Sequence, residues 1–141
     1  MMEEMNPQVY QQITDLIAEG EKYFDLDQFD SAIGKFNEAL DLVPLPKNDW
    51  EVGTWLYATI GDAYFMQEKY QEAADSFYDA YNGNVKSPFI NLRLGQCLYE
   101  LGQFEKAEDF LMRAYMLDGT DIFEGDGEKY LAHMRTKYDL D

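Results

Sequence analysis

The sequence predicts an all-α chain: three helix hairpins stacked as an α-solenoid, closed by a C-terminal capping helix. Three observations carry this expectation. Small residues recur in register along the chain, capping side chains precede the segments that would be helices, and the last segment is apolar on one side and basic on the other. The 141 residues suffice for one domain, expected over 1–141.

The first hairpin is read from Leu16, Gly20, Tyr23, Phe29, Ala32, Phe36, Ala39, Leu42 and Pro44. Tyr57, Gly61, Tyr64, Tyr70, Ala73, Phe77 and Ala80 take the same places in the second, and Asn91, Gly95, Leu98, Phe104, Ala107, Leu111, Ala114 and Leu117 in the third. A glycine inside a helix costs about 1 kcal/mol, so three at one place need a packing reason, expected to be close backbone approach. Asn6-Pro7 and Ser87-Pro88 each set a capping side chain before a first-turn proline, and Asn48-Asp49-Trp50-Glu51 reads as a capping box. These signals place helices near 7–25, 28–42, 49–67, 70–82, 88–101 and 104–117. Gly102 marks the third turn within a hairpin, with Asp27 and Glu68 at the equivalent places. A last helix near 127–138 sets Tyr130, Leu131, Met134 and Tyr138 on one face and Lys129, Arg135 and Lys137 on the other, as the exposed end of a stack requires.

The pattern resembles the tetratricopeptide repeat, a 34-residue unit with small residues at fixed places and aromatics between them. The resemblance covers about 13–121, with repeats near 13–46, 54–87 and 88–121. The second and third glycines are 34 residues apart, whereas the first and second are separated by seven more, which the linker Leu45-Pro46-Lys47-Asn48 and a longer following helix would absorb. What the resemblance implies is a right-handed superhelical α-solenoid whose first helix of each hairpin lines a concave groove.

Composition narrows the function. The chain carries 28 acidic and 11 basic residues, a net charge of −17. That speaks against nucleic-acid binding, which needs Lys and Arg to displace counterions, and against anionic membrane surfaces. With 46% hydrophobic and 16% aromatic residues, it is too apolar to be a disordered acidic tail. Cys97 and His133 are single, so neither an internal disulfide nor a four-ligand zinc site is expected. The N-terminus lacks a leader's basic start and apolar run, and no stretch has the length of a membrane span. A cytoplasmic location is the default expectation. Cys97 lies one turn from Arg93, which would lower a thiol's pKa; the simpler expectation is a small buried residue. Asp118 to Glu128 is acidic, but lacks a calcium loop's glycine at its sixth place and has Lys129 at its twelfth, so it is read as a solvated connector. No catalytic group, cofactor or metal is expected.

The resemblance carries the groove onto Ile17, Glu21, Phe24 and Asp25, then Trp55, Thr59, Asp62, Phe65 and Met66, then Phe89, Arg93, Gln96, Tyr99 and Glu100. Family members that clamp a C-terminal carboxylate use Lys, Asn and Arg there, and only Arg93 fits. The expected site is instead acidic and aromatic, built from Glu21, Phe24, Asp25, Trp55, Asp62, Phe65, Met66, Phe89, Arg93, Gln96, Tyr99 and Glu100. It suits a basic protein or peptide: complementary charge speeds encounter and aromatic anchors supply binding hot spots. Two roles fit, an immunity protein covering the basic face of a cognate toxin, or a secretion chaperone or adaptor holding an extended client segment. Trp55→Ala or Phe65→Ala should weaken binding more than Glu3→Ala. The sequence leaves the oligomeric state open.

Overall fold

The computed structural model describes residues 4–140; residues 1–3, which include Glu3 and the start of the stretch read for a leader, and residue 141 lie outside it. Among the described residues the chain forms seven α-helices and no strand: α1 Pro7–Asp25, α2 Phe29–Leu42, α3 Glu51–Met66, α4 Tyr70–Gly83, α5 Pro88–Glu100, α6 Phe104–Asp118 and α7 Glu128–Arg135. Successive pairs form antiparallel hairpins, and α3 and α5 each pack on the hairpin before. None of these helices is long and apolar enough to cross a membrane.

Two of the three expected helix starts are formed by the expected side chains. Asn6 Oδ1 accepts from Gln8 N at 2.8 Å and Val9 N at 3.4 Å, and Ser87 Oγ accepts from Ile90 N at 3.2 Å. The capping box before α3 does not form. Lys47–Asp49 make a 3₁₀ turn instead, and α3 starts after Trp50 without a side-chain cap. Lys47 explains the difference: its ammonium donates to Leu40 O at 2.7 Å and Val43 O at 2.8 Å, closing the carboxyl end of α2. The turn lies so tightly on α3 that a Cβ at Gly53 would fall 2.0 Å from Lys47 O.

Inside each hairpin the turn takes one form. Asp27 (φ 59°), Glu68 (φ 59°) and Gly102 (φ 79°) are left-handed. The next amide reaches back to Tyr23 O, Tyr64 O and Leu98 O at 2.9, 3.0 and 2.9 Å, a Schellman closure that satisfies the last carbonyls of the first helix.

The repeated glycines have a packing reason, though not backbone approach alone. A Cβ at Gly20 would lie 2.5 Å from Phe36 Cε1, one at Gly61 3.0 Å from the Phe77 ring, and one at Gly95 2.7 Å from Leu111 Cγ. Each glycine is a seat for the large side chain of the following helix. Ala32, Ala73, Ala107, Ala39, Ala80 and Ala114 are fully buried around them. Asn91, at a place filled by tyrosine in the second hairpin, is also fully buried; its amide donates to Val85 O (3.0 Å) and Ser87 O (2.8 Å), fixing the turn before α5.

The capping helix is shorter than expected, ending at Arg135, and Tyr138 lies beyond it, 41% exposed. Its basic side is half exposed, yet engaged with the third hairpin. Lys129, His133 and Lys137 follow one another at intervals of four and meet carboxylates of the third hairpin. Lys129 pairs with Glu100 on α5, while His133 Nε2 (2.7 Å) and Lys137 Nζ (2.9 Å) reach Glu108 on α6. Tyr130 also donates to Glu100 at 2.8 Å. The connector before α7 is likewise not simply solvated, because Phe123 is fully buried beneath it.

The bond from Lys137 holds the Glu108 carboxyl below its ordinary pKa; burial opposes this, and the bond from His133 adds to it. For Glu100 burial pushes up, but the bonds from Lys129 and Tyr130 win and the net shift is down. A carboxylate depressed in the folded state stabilises fully above its unfolded pKa, about 4.3, and loses that contribution as pH falls through the folded value. Stability should therefore decline below about pH 4.5, and Glu108→Gln should flatten that decline. Urea midpoints from pH 7 to 3 check it; parallel acid limbs for parent and variant would count against it.

Candidate partner-binding cleft

The first helices of the three hairpins, α1, α3 and α5, carry two series of rings in repeat register. In one, Phe24, Phe65 and Tyr99 stand near the ends of these helices. Each is set edge-on against the first residue of the next helix: Phe29 at 5.2 Å, Tyr70 at 5.5 Å and Phe104 at 5.1 Å. These rings are half-buried. In the other, Trp55 stands edge-on to Phe36 at 6.1 Å and Phe89 to Phe77 at 6.2 Å. Here the core phenylalanine seated on its glycine supports the outer ring, and both outer rings are 42% exposed.

Between α1 and α3 lies a cleft of about 780 Å³. Glu21, Phe24 and Asp25 line it from α1, and Trp55, Thr59 and Asp62 from α3. Phe89 and Ile90 close it from α5, the segment before α3 contributes Asn48 and Asp49, and Glu51 adds to it from the first turn of α3. Five carboxylates thus face a space walled by three rings. Among the described residues no Lys or Arg lines it, and of the five only Asp62 has a cationic partner. An apolar wall with uncompensated negative charge attracts a cation through its own field and through the ring faces.

Arg93 lies outside the cleft lining, at the next junction toward the third hairpin. Its Nε donates to Asp62 Oδ1 at 3.1 Å and its Nη1 to Gln96 Oε1 at 2.7 Å. The guanidinium carbon lies 4.3 Å from the Phe65 ring centroid and 5.3 Å from that of Phe89. Burial holds the Asp62 carboxyl above its ordinary pKa, and Arg93 offsets this only in part.

Of the residues expected in the groove, Glu21, Phe24, Asp25, Trp55, Asp62 and Phe89 come together here. The other six do not line the cleft. Gln96 is 1% exposed beneath Arg93, and Arg93 itself is spent on Asp62. Phe65 lies under the guanidinium, and Met66 is exposed away from the cleft. Tyr99 packs on Tyr130 and His133 at 5.2 and 5.1 Å, and Glu100 is taken by Lys129 and Tyr130. The cap covers that end of the groove. Asn48, Asp49, Glu51, Thr54 and Asn84 were missed. The signal available was the seven-residue excess after the first hairpin, with two acids at its end.

Cys97 is fully buried, and burial pushes its thiol up to about 12 against the pull of Arg93. Among the described residues no group of three or more His, Cys, Asp or Glu converges as a metal site.

The fold and site define a helix-hairpin solenoid with an acidic, aromatic cleft on the side lined by the first helices. Residues 64–121 match the family model of the tetratricopeptide repeat, and the chain as a whole has the fold of tetratricopeptide-repeat domains. Solved structures share the architecture. The first tetratricopeptide domain of Spaghetti (RPAP3), bound to the HSP90 peptide SRMEEVD, is 22% identical with a TM-score of 0.71, over 89% of this chain and 94% of that one. The Arabidopsis OM64 domain is 16% identical with a TM-score of 0.74, over 92% and 99%. The Yersinia enterocolitica type III secretion translocator chaperone SycD is 16% identical with a TM-score of 0.67, over 90% of each chain. Against the curated proteins the sequence finds no match.

Proposed function

We propose that this protein is a cytoplasmic, non-catalytic interaction module that holds a basic segment of a protein partner in the α1–α3 cleft. The observation that carries the reading is the cleft's composition: five carboxylates and three rings, with no basic side chain among its lining residues. The Spaghetti domain holds an acidic peptide; the lining charge here favours the opposite sign. The cleft's bounded size supports a short segment, as a chaperone or adaptor would hold it, and the likeness to SycD runs in the same direction. The immunity reading, in which the protein stops a basic toxin, rests on net charge alone and would need a larger contact than this cleft.

Calorimetry of the full chain against a lysine- and arginine-bearing peptide and against SRMEEVD tests the proposal. The basic peptide should bind, and weaken as salt shortens the Debye length from about 30 Å to about 8 Å. SRMEEVD should not. Trp55→Ala should cost about tenfold or more in affinity, as a central aromatic anchor does, and Glu72→Ala, on the exposed side of α4, should not. Salt-independent binding, or equal losses in the two variants, would overturn the reading.

A further inference from the structure

The cleft has a counterpart one hairpin along, and there it is filled. The repeat register relates the α3–α5 junction to the α1–α3 junction: Asp62 corresponds to Glu21, Phe65 to Phe24, Phe89 to Trp55 and Arg93 to Thr59. In the filled junction the Arg93 guanidinium lies over Phe65 and Phe89 and donates to Asp62. In the open junction the rings are held the same way. Trp55 meets Phe36 at 6.1 Å as Phe89 meets Phe77 at 6.2 Å, and Phe24 meets Phe29 at 5.2 Å as Phe65 meets Tyr70 at 5.5 Å. What differs is the plug. Thr59 is short, and its hydroxyl is turned back onto its own helix, donating to Trp55 O at 2.8 Å. Glu21 is exposed and lines the space with Phe24, Trp55 and Thr59.

We propose that this open junction is a subsite for one arginine side chain of the partner, of which Arg93 is the internal likeness. The inference rests on the basic-partner reading and narrows it from a cation to a guanidinium. A planar, weakly hydrated guanidinium can lie on ring faces while its edge donates to a carboxylate; a compact, strongly hydrated ammonium gains less from the rings. Asp62 already serves Arg93, and of the four carboxylates left in the lining Glu21 is the one that holds Asp62's place in the repeat register.

The test uses two blocked heptapeptides with one apolar residue and either two arginines or two lysines, titrated into the full-length protein at low salt. The arginine peptide should bind about two- to thirtyfold more tightly, the range that one cation–ring contact supplies from exposed to desolvated sites. Glu21→Gln, at an exposed position, should erase most of that preference. Thr59→Arg should fill the subsite from within, abolishing the preference while the protein melts at or above the parent temperature. Should Thr59→Arg misfold, Glu21→Gln still decides. Equal affinity for the two peptides, or an arginine preference that survives in Glu21→Gln, overturns the subsite and leaves a cleft that selects charge alone. Failure of both peptides to bind removes the basic-partner reading itself.

Discussion

Gly61→Leu is expected to lower the melting temperature by about 10 °C, from an overpacking cost of about 3 kcal/mol in a chain of this size. Even the first added carbon would lie 3.0 Å from two atoms of the Phe77 ring, and leucine brings three more. Phe77 has little room to retreat. It is fully buried, and Phe89 stands edge-on to it at 6.2 Å, so a shift would be passed to the cleft wall. Helix propensity runs the other way, since leaving glycine gains about 1 kcal/mol, but the clash outweighs it. Gly34 makes the contrast: no atom lies within 4 Å of a Cβ placed there, so a substitution at that point meets open space. Thermal melts by circular dichroism measure the difference. A Gly61→Leu protein melting within two or three degrees of the parent would mean that the Phe77 ring is not seated on Gly61.

The packing was readable because it repeats. Gly20, Gly61 and Gly95 shared one place, and Phe36, Phe77 and Leu111 shared another. A periodic sequence constrains which place touches which, even before the atoms in contact are known. What does not repeat was not readable. Asn48 looked like a helix cap because its local spacing is right, yet Lys47 binds the open carbonyls of α2 and turns the segment into a cleft wall. Gln96 and Glu100 occupied groove places by register, and their use was decided by single partners elsewhere: Arg93 for one, Lys129 and Tyr130 for the other. Side-chain pairing across helices leaves no periodic trace. Phe123 was hidden for a similar reason, since a lone apolar pair between acids and glycines resembles a solvated connector until a neighbour covers it.

Phe123→Ala is expected to cost about 3–5 kcal/mol, the range for truncating a buried aromatic ring, and to act mainly on the end of the stack. Phe123 is fully buried in a cluster with Leu92, Leu111, Ala114, Tyr130, Leu131 and Met134. It therefore joins the third hairpin to α7 rather than holding the hairpin itself together. The ion pairs at this end cannot replace it: Lys129 on α7 and Lys137 just beyond it are more than half exposed, and such pairs contribute about 1 kcal/mol or less each. In a solenoid each unit is stabilised by its neighbours, so damage at one end need not spread. Hydrogen exchange should show lost protection in α7 and the end of α6, with α1 to α4 near parent levels. Because the cleft lies between α1 and α3, basic-peptide affinity at low temperature should stay within about twofold of the parent, well under the factor of ten that 1.4 kcal/mol represents. Uniform loss of protection along all seven helices would show instead that the chain unfolds as one unit, with the cap and the cleft sharing a single stability.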